Sequence, residues 1–335
     1  MNANEMFIER EKTFLSPYAF LTSETKGRDK PCPSCPNRTE FQRDRDRILH
    51  CKSFRRLMHK TQVFFSPEDE HFRTRMTHTL EVTQIARIIA RALRLNEDLC
   101  EAAALGHDLG HTPFGHSGEY AMQATYSKDF THYKQSLRVV EFLENDGEGL
   151  NLTWEVKDAI LNHSGSNEPA TLEGVVVKLA DRIAYINHDI DDAIRAGVLS
   201  INDIPRDIIS TLGKGHSERI NNMVKSVINE SYEKPFVKMS DEISEATNAL
   251  RSFMFESVYH NKIVKAEEDK AIDMIKTLFN YFKENYSEMP KLYRDNCEKD
   301  GIDRSVCDYI SSMTDRYAIK TFSQLYVPDI WRSKK

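Results

Sequence analysis

The chain has 335 residues, 40% apolar and 29% charged, with a formal net charge of −6. No stretch reaches the ~18 apolar residues of a spanning helix, the N-terminal MNANEMFIEREK lacks the apolar run of a secretory signal, and six cysteines are too few for a disulfide scaffold. A cytoplasmic protein with reduced thiols is therefore expected, and the negative balance argues against broad coating of nucleic acid while leaving room for a local basic pocket.

Thirteen Gly and eleven Pro are few for this length and favour helices. Residues 23–39, polar and proline-containing, read as a loop. Residues 40–60 have neither Pro nor Gly and read as one helix. TQVFF at 61–65 is a short β-like run, so 61–72 is expected to form a small hairpin. From Thr77 the helical period is clear, with His78, Val82, Ile85 and Ile89 on one stripe. Further helices are expected over 97–108, 132–145 and 153–163. A long one over 170–195 has Val176, Leu179, Ile183, Ile186 and Ile190 as its apolar face. Beyond Gly197 helices are expected near 203–213, 216–230, 236–256, 265–286 and 301–318. The fold class is all-α with at most one hairpin. The expected organisation is a segment 1–39 with a flexible loop, a core 40–200, and a helical region 201–335 packed on it.

Histidines concentrate before residue 190; only His216 and His260 lie beyond. GHDLGHTPFGHSGE, residues 106–119, holds His107, Asp108, His111, His116 and Glu119. Its density, rather than any His-Asp dipeptide, is the unusual feature, since His188-Asp189 repeats the dipeptide. His78 points inward on its stripe. Asp181 interrupts the apolar VVVKLADRIAYI, where a carboxylate is costly unless paired or metal-bound. Two imidazoles and two carboxylates suit Mn²⁺, Fe²⁺, Mg²⁺ or Zn²⁺. Asp181, Tyr185 and Asp189, four residues apart, share one helix face and suit the wall of a pocket holding a sugar or base above a metal.

Between Arg43 and Lys60 there are seven Lys/Arg against two Asp; residues 43–47 read as mutual ion pairs. Arg75, three residues before His78, reads as a phosphate contact beside the metal. Cys32-Pro-Ser-Cys35 has the spacing of half a zinc knuckle, with only His50 and Cys51 nearby to complete it. No Walker A loop, Gly-rich dinucleotide turn or nucleophile elbow is present in the sequence.

The segments RDRDRILHCKSFRRLMHKTQVF, RTRMTHTLEV, GHDLGHTPFGHSGE, FTHYKQSLRVVEFL, LADRIAYINHDIDDAI and DYISSMTDRYA resemble the HD-superfamily deoxyguanosine triphosphate triphosphohydrolases, in order, from about residue 40 to 326. The resemblance implies an all-α HD core with additional C-terminal helices. The implied reaction is metal-dependent hydrolysis of a deoxynucleoside triphosphate (dNTP), dGTP foremost, to deoxynucleoside and tripolyphosphate. It implies His78, His107, Asp108 and Asp181 as ligands of one divalent metal ion per subunit, Mn or Mg foremost, with Fe, Co, Ni or Zn as alternatives. His111, Glu119 and His132 match its catalytic positions. Gln62, Arg75, His116, Tyr185 and Asp189 match its contacts to sugar, base and phosphates, with Arg182 a further phosphate contact. It also implies a homo-oligomer, often a hexamer, and a separate dNTP effector. The chain departs from the common pattern in its Cys32/Cys35 loop and in Tyr133-Lys134 after His132.

Attack at the α-phosphorus expels a nucleoside 5′-oxygen that needs a proton, which His111 or His132 would supply. Glu119, eight residues from His111, is expected to contact that histidine and set its tautomer. The rival readings are an HD phosphohydrolase of another nucleotide, and a nucleotide-sensing or single-strand nucleic-acid-binding regulator.

Overall fold

The computed structural model describes residues 1–62, 72–259 and 262–328, with the backbone only for 262–264. Among the described residues the chain is helical, with sixteen α-helices and no strand. The N-terminal part contains α1 (Ala3–Phe14), α2 (Glu40–His50), α3 (Lys52–Arg56), α4 (Arg75–Ala92), α5 (Glu97–Gly106), α6 (Gly115–Thr125), α7 (His132–Arg138), α8 (Trp154–Asn162) and α9 (Leu172–Arg195). The remainder contains α10 (Arg206–Leu212), α11 (His216–Ser231), α12 (Asp241–Met254), α13 (Lys262–Glu284), α14 (Lys291–Asp300), α15 (Ile302–Ser311) and α16 (Asp315–Tyr326). No helix among these residues is long and apolar enough to cross a membrane.

The helices start where the sequence supplies caps. Thr74 accepts from Thr77 N–H and opens α4; Thr171 does the same for Gly174 and opens α9. Val82, Ile85, Ala86 and Ile89 of α4 are buried against Val176, Ala180, Ile183 and Ile190 of α9, and α5 and α10–α12 complete this apolar cluster. Each fully buried aliphatic side chain contributes about 1.5–3 kcal/mol relative to exposure. A second cluster joins α6 to α13–α16 through Phe114, Met122, Phe279 and Ile310. A third joins α2, α3, α5 and α8 through Phe41, Ile48, Leu57 and Ile160.

Several expected elements divide. The 40–60 helix breaks at Cys51, which is extended (φ −74°, ψ 159°) and caps Phe54 N–H with its Sγ. The break is stabilised from a distant segment, because Glu144 accepts from Lys52 N–H at 3.0 Å and Ser53 N–H at 2.7 Å. The 301–318 helix is two, α16 being restarted by the Thr314 cap on Tyr317 N–H. The 132–145 helix widens into a π-helical turn at Val139–Leu143. Helices α1, α6 and α14 were not expected. The hairpin over 61–72 falls mostly outside the described residues; its ends meet in one antiparallel bridge, Thr61 to Thr74. The 23–39 stretch is largely irregular but anchored: Arg28 is buried between Glu40 and Asp44, and Lys26 lies 3.3 Å from the Trp154 ring centre.

Candidate active site

Three helices, α4, α5 and α9, bring the four candidate metal-ligating residues together. His78 projects from α4, His107 and Asp108 follow the end of α5, and Asp181 projects from α9. His78 Nε2 is 3.3 Å from His107 Nε2 and 3.2 Å from Asp181 Oδ1. Asp108 Oδ2 is 3.8 Å from His78 Nε2 and 3.7 Å from His107 Nε2, and Asp181 Oδ1 is 3.9 Å from His107 Nε2. Donors bound at about 2.0–2.2 Å to one ion are separated by about 3–3.5 Å when adjacent, so this set fits a single divalent cation. The chemistry of the donors agrees. His107 Nδ1–H donates to the Ala104 carbonyl at 2.6 Å, which turns the Nε2 lone pair toward the cluster. Two imidazole nitrogens then face each other beside two carboxylates, an arrangement that calls for a cation.

The charges hold both carboxylates ionised. Burial works against Asp181, but the hydrogen bond from His78 and the charge of His107 bring its carboxyl down to about 2. Burial likewise opposes ionisation of Asp108, and His107 and Arg75 outweigh it, keeping the carboxyl well below its ordinary range. Arg75, buried at the first position of α4, donates to Asp108 Oδ2 at 2.8 Å.

Beside this corner His111 and His132 stack nearly parallel, 4.6 Å apart at 15°. The expected contact between Glu119 and His111 is corrected by the structure. Glu119 accepts instead from His132 Nδ1 at 3.0 Å and from His132 N–H at 3.3 Å, with His116 Nδ1 at 3.7 Å. The reason is that α6 and the start of α7 place Glu119 under His132, whereas His111 Nδ1 is buried without a hydrogen-bond partner among the described residues. Burial lowers the His132 pKa, but Glu119 more than compensates and the net shift is upward. Burial and the Arg75 guanidinium push His111 well below the ordinary imidazole range.

These residues surround a cavity of about 330 Å³. Gln62, Arg75, His78, Asp108 and His111 line it, as do His116, His132, Asp181, Tyr185 and Asp189. His107 and Glu119 stand directly behind this lining, bonded to it. His116 is exposed at the mouth, and Gln62 Oε1 is buried without a partner among the described residues. Arg182 is not brought in: its guanidinium is bonded to Asn248 of α12. The backbone before α6 is tightly shaped. Phe114 is left-handed (φ 59°), and at Gly115 (φ 57°) a Cβ would come within 3.0 Å of Arg75 Nη2.

Other residues of the site carry no sequence signal. Tyr259 bonds Asp189 through its hydroxyl, and Arg251 and Lys265 reach the cavity from ordinary amphipathic helices. His163 packs edge-on to His107 at 4.9 Å between ring centres, and burial with the charges of His107 and His132 lowers it to about 3. Cys32 and Cys35 gather no third ligand: among the described residues no metal-binding group of His, Cys, Asp or Glu forms around them, and Cys32 Sγ accepts from Arg43 at 2.8 Å. A larger cavity of about 520 Å³ lies elsewhere, bounded by Lys52, Arg56, Tyr293, Tyr309 and Tyr317. It contains none of the converging histidines, so size does not identify the reaction centre here.

The helical fold and the buried His, His-Asp, Asp cluster define an HD-domain phosphohydrolase. Residues 75–186 match the HD domain and residues 237–324 the phosphohydrolase-associated domain. The chain is 57% identical to a deoxyguanosinetriphosphate triphosphohydrolase-like protein of Caldanaerobacter subterraneus subsp. tengcongensis, over 99% of this chain and 98% of that protein. It is 47% identical to proteins so described from Desulfatibacillum aliphaticivorans (98% and 99%) and Clostridium tetani (96% and 95%). The chain belongs to the deoxyguanosinetriphosphate triphosphohydrolase-like family. Among solved structures, a phosphohydrolase of Bacteroides thetaiotaomicron matches 85% of this chain and 68% of that one with a TM-score of 0.53 at 19% identity, a likeness of fold.

Proposed function

We propose that this chain hydrolyses deoxynucleoside triphosphates, dGTP among them, to deoxynucleoside and tripolyphosphate by attack of water at the α-phosphorus. The observation that carries the reading is the donor cluster at the wall of a cavity whose next residues are a stacked histidine pair and whose far wall is Tyr185 and Asp189. His78, His107, Asp108 and Asp181 hold one divalent ion, Mn²⁺ or Mg²⁺ foremost, and this ion when bound supplies Lewis-acid polarisation of the phosphate. Arg75, and Arg251 with Lys265 toward the mouth, offset the charge of the phosphate chain. His111 and His132 are placed to exchange a proton with the departing 5′-oxygen, and Glu119 orients His132 by fixing a proton on Nδ1. Tyr185, Asp189 and Gln62 offer polar atoms to the sugar and base, with His116 at the entrance.

The family membership also supports a homo-oligomer, a hexamer by resemblance, and a dNTP effector. Lys52, Arg56 and the tyrosines of the larger cavity have the chemistry for a phosphorylated, aromatic ligand. The six free thiols suit a cytoplasmic protein, and the chain divides into an N-terminal segment to residue 39, an HD core to about residue 200 and a C-terminal helical region packed on it. Incubation of the purified protein with each dNTP and Mn²⁺ or Mg²⁺, followed by chromatography, tests the reaction. Deoxynucleoside and tripolyphosphate in equal amounts are expected; a nucleoside mono- or diphosphate as first product would overturn it.

A further inference from the structure

The histidine-bearing loop between α5 and α6 is held by residues that lie far from it in sequence and outside the reacting set. Asp315, the first residue of α16, is buried, 3% exposed. Its Oδ1 accepts from Phe114 N–H at 2.9 Å and its Oδ2 from Thr61 N–H at 2.8 Å and from the Thr61 hydroxyl. Phe114 is the left-handed residue between His111 and His116, and its side chain provides no cap to α6. On the other side of the loop Lys60, 2% exposed, donates from Nζ to the His111 carbonyl and to the Ser311 carbonyl, the latter at 2.8 Å. Lys60 C=O accepts from Arg75 N–H at 2.9 Å. One junction thus fixes the backbone at His111, at Phe114 and at the start of α4, using the α15–α16 corner as its anchor.

We propose that Asp315 and Lys60 are positioning residues through which the C-terminal helices hold the loop carrying His111 in its reactive geometry. Neither lines the histidine cavity, and both act through backbone groups. The arrangement has a chemical rationale. A carboxylate is the only side chain that takes two backbone N–H groups on separate oxygens without presenting a donor to either. An amino group with two carbonyl partners ties two chain segments together in either protonation state, where a side chain without N–H donors would leave both carbonyls buried and unpaired. The role of the phosphohydrolase-associated region would then include setting the position of a proton-transfer group on the HD core.

The inference rests on His111 as a reacting group, and its test separates the two. Asp315→Asn keeps shape but turns an N–H₂ toward one of the two backbone donors; Lys60→Met keeps the bulk without the N–H donors. Hydrogen exchange of wild-type and variant proteins reads the positioning without reference to activity. Amides of residues 109–116 are expected to exchange tenfold faster or more in both variants, with α4 and α9 unchanged. Turnover of dGTP is expected to fall about 10–100-fold through kcat, with KM within twofold and metal content unchanged. Unaltered exchange of the loop in both variants would overturn the proposal, as would kcat within twofold of wild type per metal-loaded subunit. Should one variant not fold, the other decides alone. A wild-type protein that leaves every dNTP intact would sink the proposed reaction and leave the exchange result to decide the positioning.

Discussion

Asp181 and Asp189 lie two helical turns apart on one face of α9, yet their surroundings drive them in opposite directions. Asp181 faces His78 and His107 and is held ionised down to about 2. Asp189 is raised to about 7 by burial, which the Tyr259 hydroxyl offsets only in part. One end of the cavity is thus built to keep negative charge beside a cation, the other to hold a carboxyl that can donate as well as accept a hydrogen bond. The contrast teaches that the neighbours, not the residue type, divide the helix face into the end proposed to hold the metal and the end proposed to hold the sugar.

The largest effect should come from breaking the metal end. Asp181→Ala and His107→Ala are expected to lose bound divalent metal and at least 10³-fold of the turnover, since the remaining donors cannot close the coordination shell. Elemental analysis of the purified variants checks this, and full metal occupancy in both would erase the distinction between the two ends. Next in size, His132→Ala and His111→Ala should retain metal and lose about 10²–10⁴-fold in kcat, the usual contribution of a general acid–base group. Glu119→Gln should resemble His132→Ala more than His111→Ala, because Glu119 bonds only the former. Equal turnover in variant and wild type would remove that histidine from the mechanism.

The smallest effect concerns the other end and sharpens the comparison. The Asp189 carboxyl is raised above its ordinary 3.8, so the folded protein keeps a proton that the unfolded chain has lost. Stability therefore falls as pH rises from about 4 toward 7, by at most ~1.4 kcal/mol per pH unit for one group, and is level above the folded pKa. Asp189→Asn in metal-free protein should raise Tm more at pH 8 than at pH 5, while weakening dNTP binding about tenfold through the lost acceptor. A Tm difference independent of pH would mean that Asp189 titrates normally. Asp181 has the opposite sign: its contribution is in place above about 4 and is lost as pH falls toward 2.

The convergence of His78, His107, Asp108 and Asp181 was legible in the sequence because each residue stands out against its local pattern: a histidine on an apolar stripe, an aspartate inside an apolar helix, and an unusual density of histidines between them. The long helices α4 and α9 were legible for the same reason, through period and caps. What escaped was held by distant partners. The break at Cys51 depends on Glu144, the orientation of Glu119 depends on where α7 begins, and the junction at Phe114 depends on Asp315, about two hundred residues further along. Arg182 misled in the other direction, since its place beside Asp181 in sequence turns it outward on the helix, toward Asn248. Tyr259 and Arg251 look like any residues of an amphipathic helix until the fold brings them to the cavity.

The point of bond cleavage tests the account most directly, because it reports which phosphorus the metal and the histidine pair address. A single turnover of dGTP by the metal-loaded protein in ¹⁸O-water, resolved by mass spectrometry, should place one ¹⁸O in tripolyphosphate and none in deoxyguanosine. Label in orthophosphate, with a deoxynucleoside diphosphate accumulating, would contradict it.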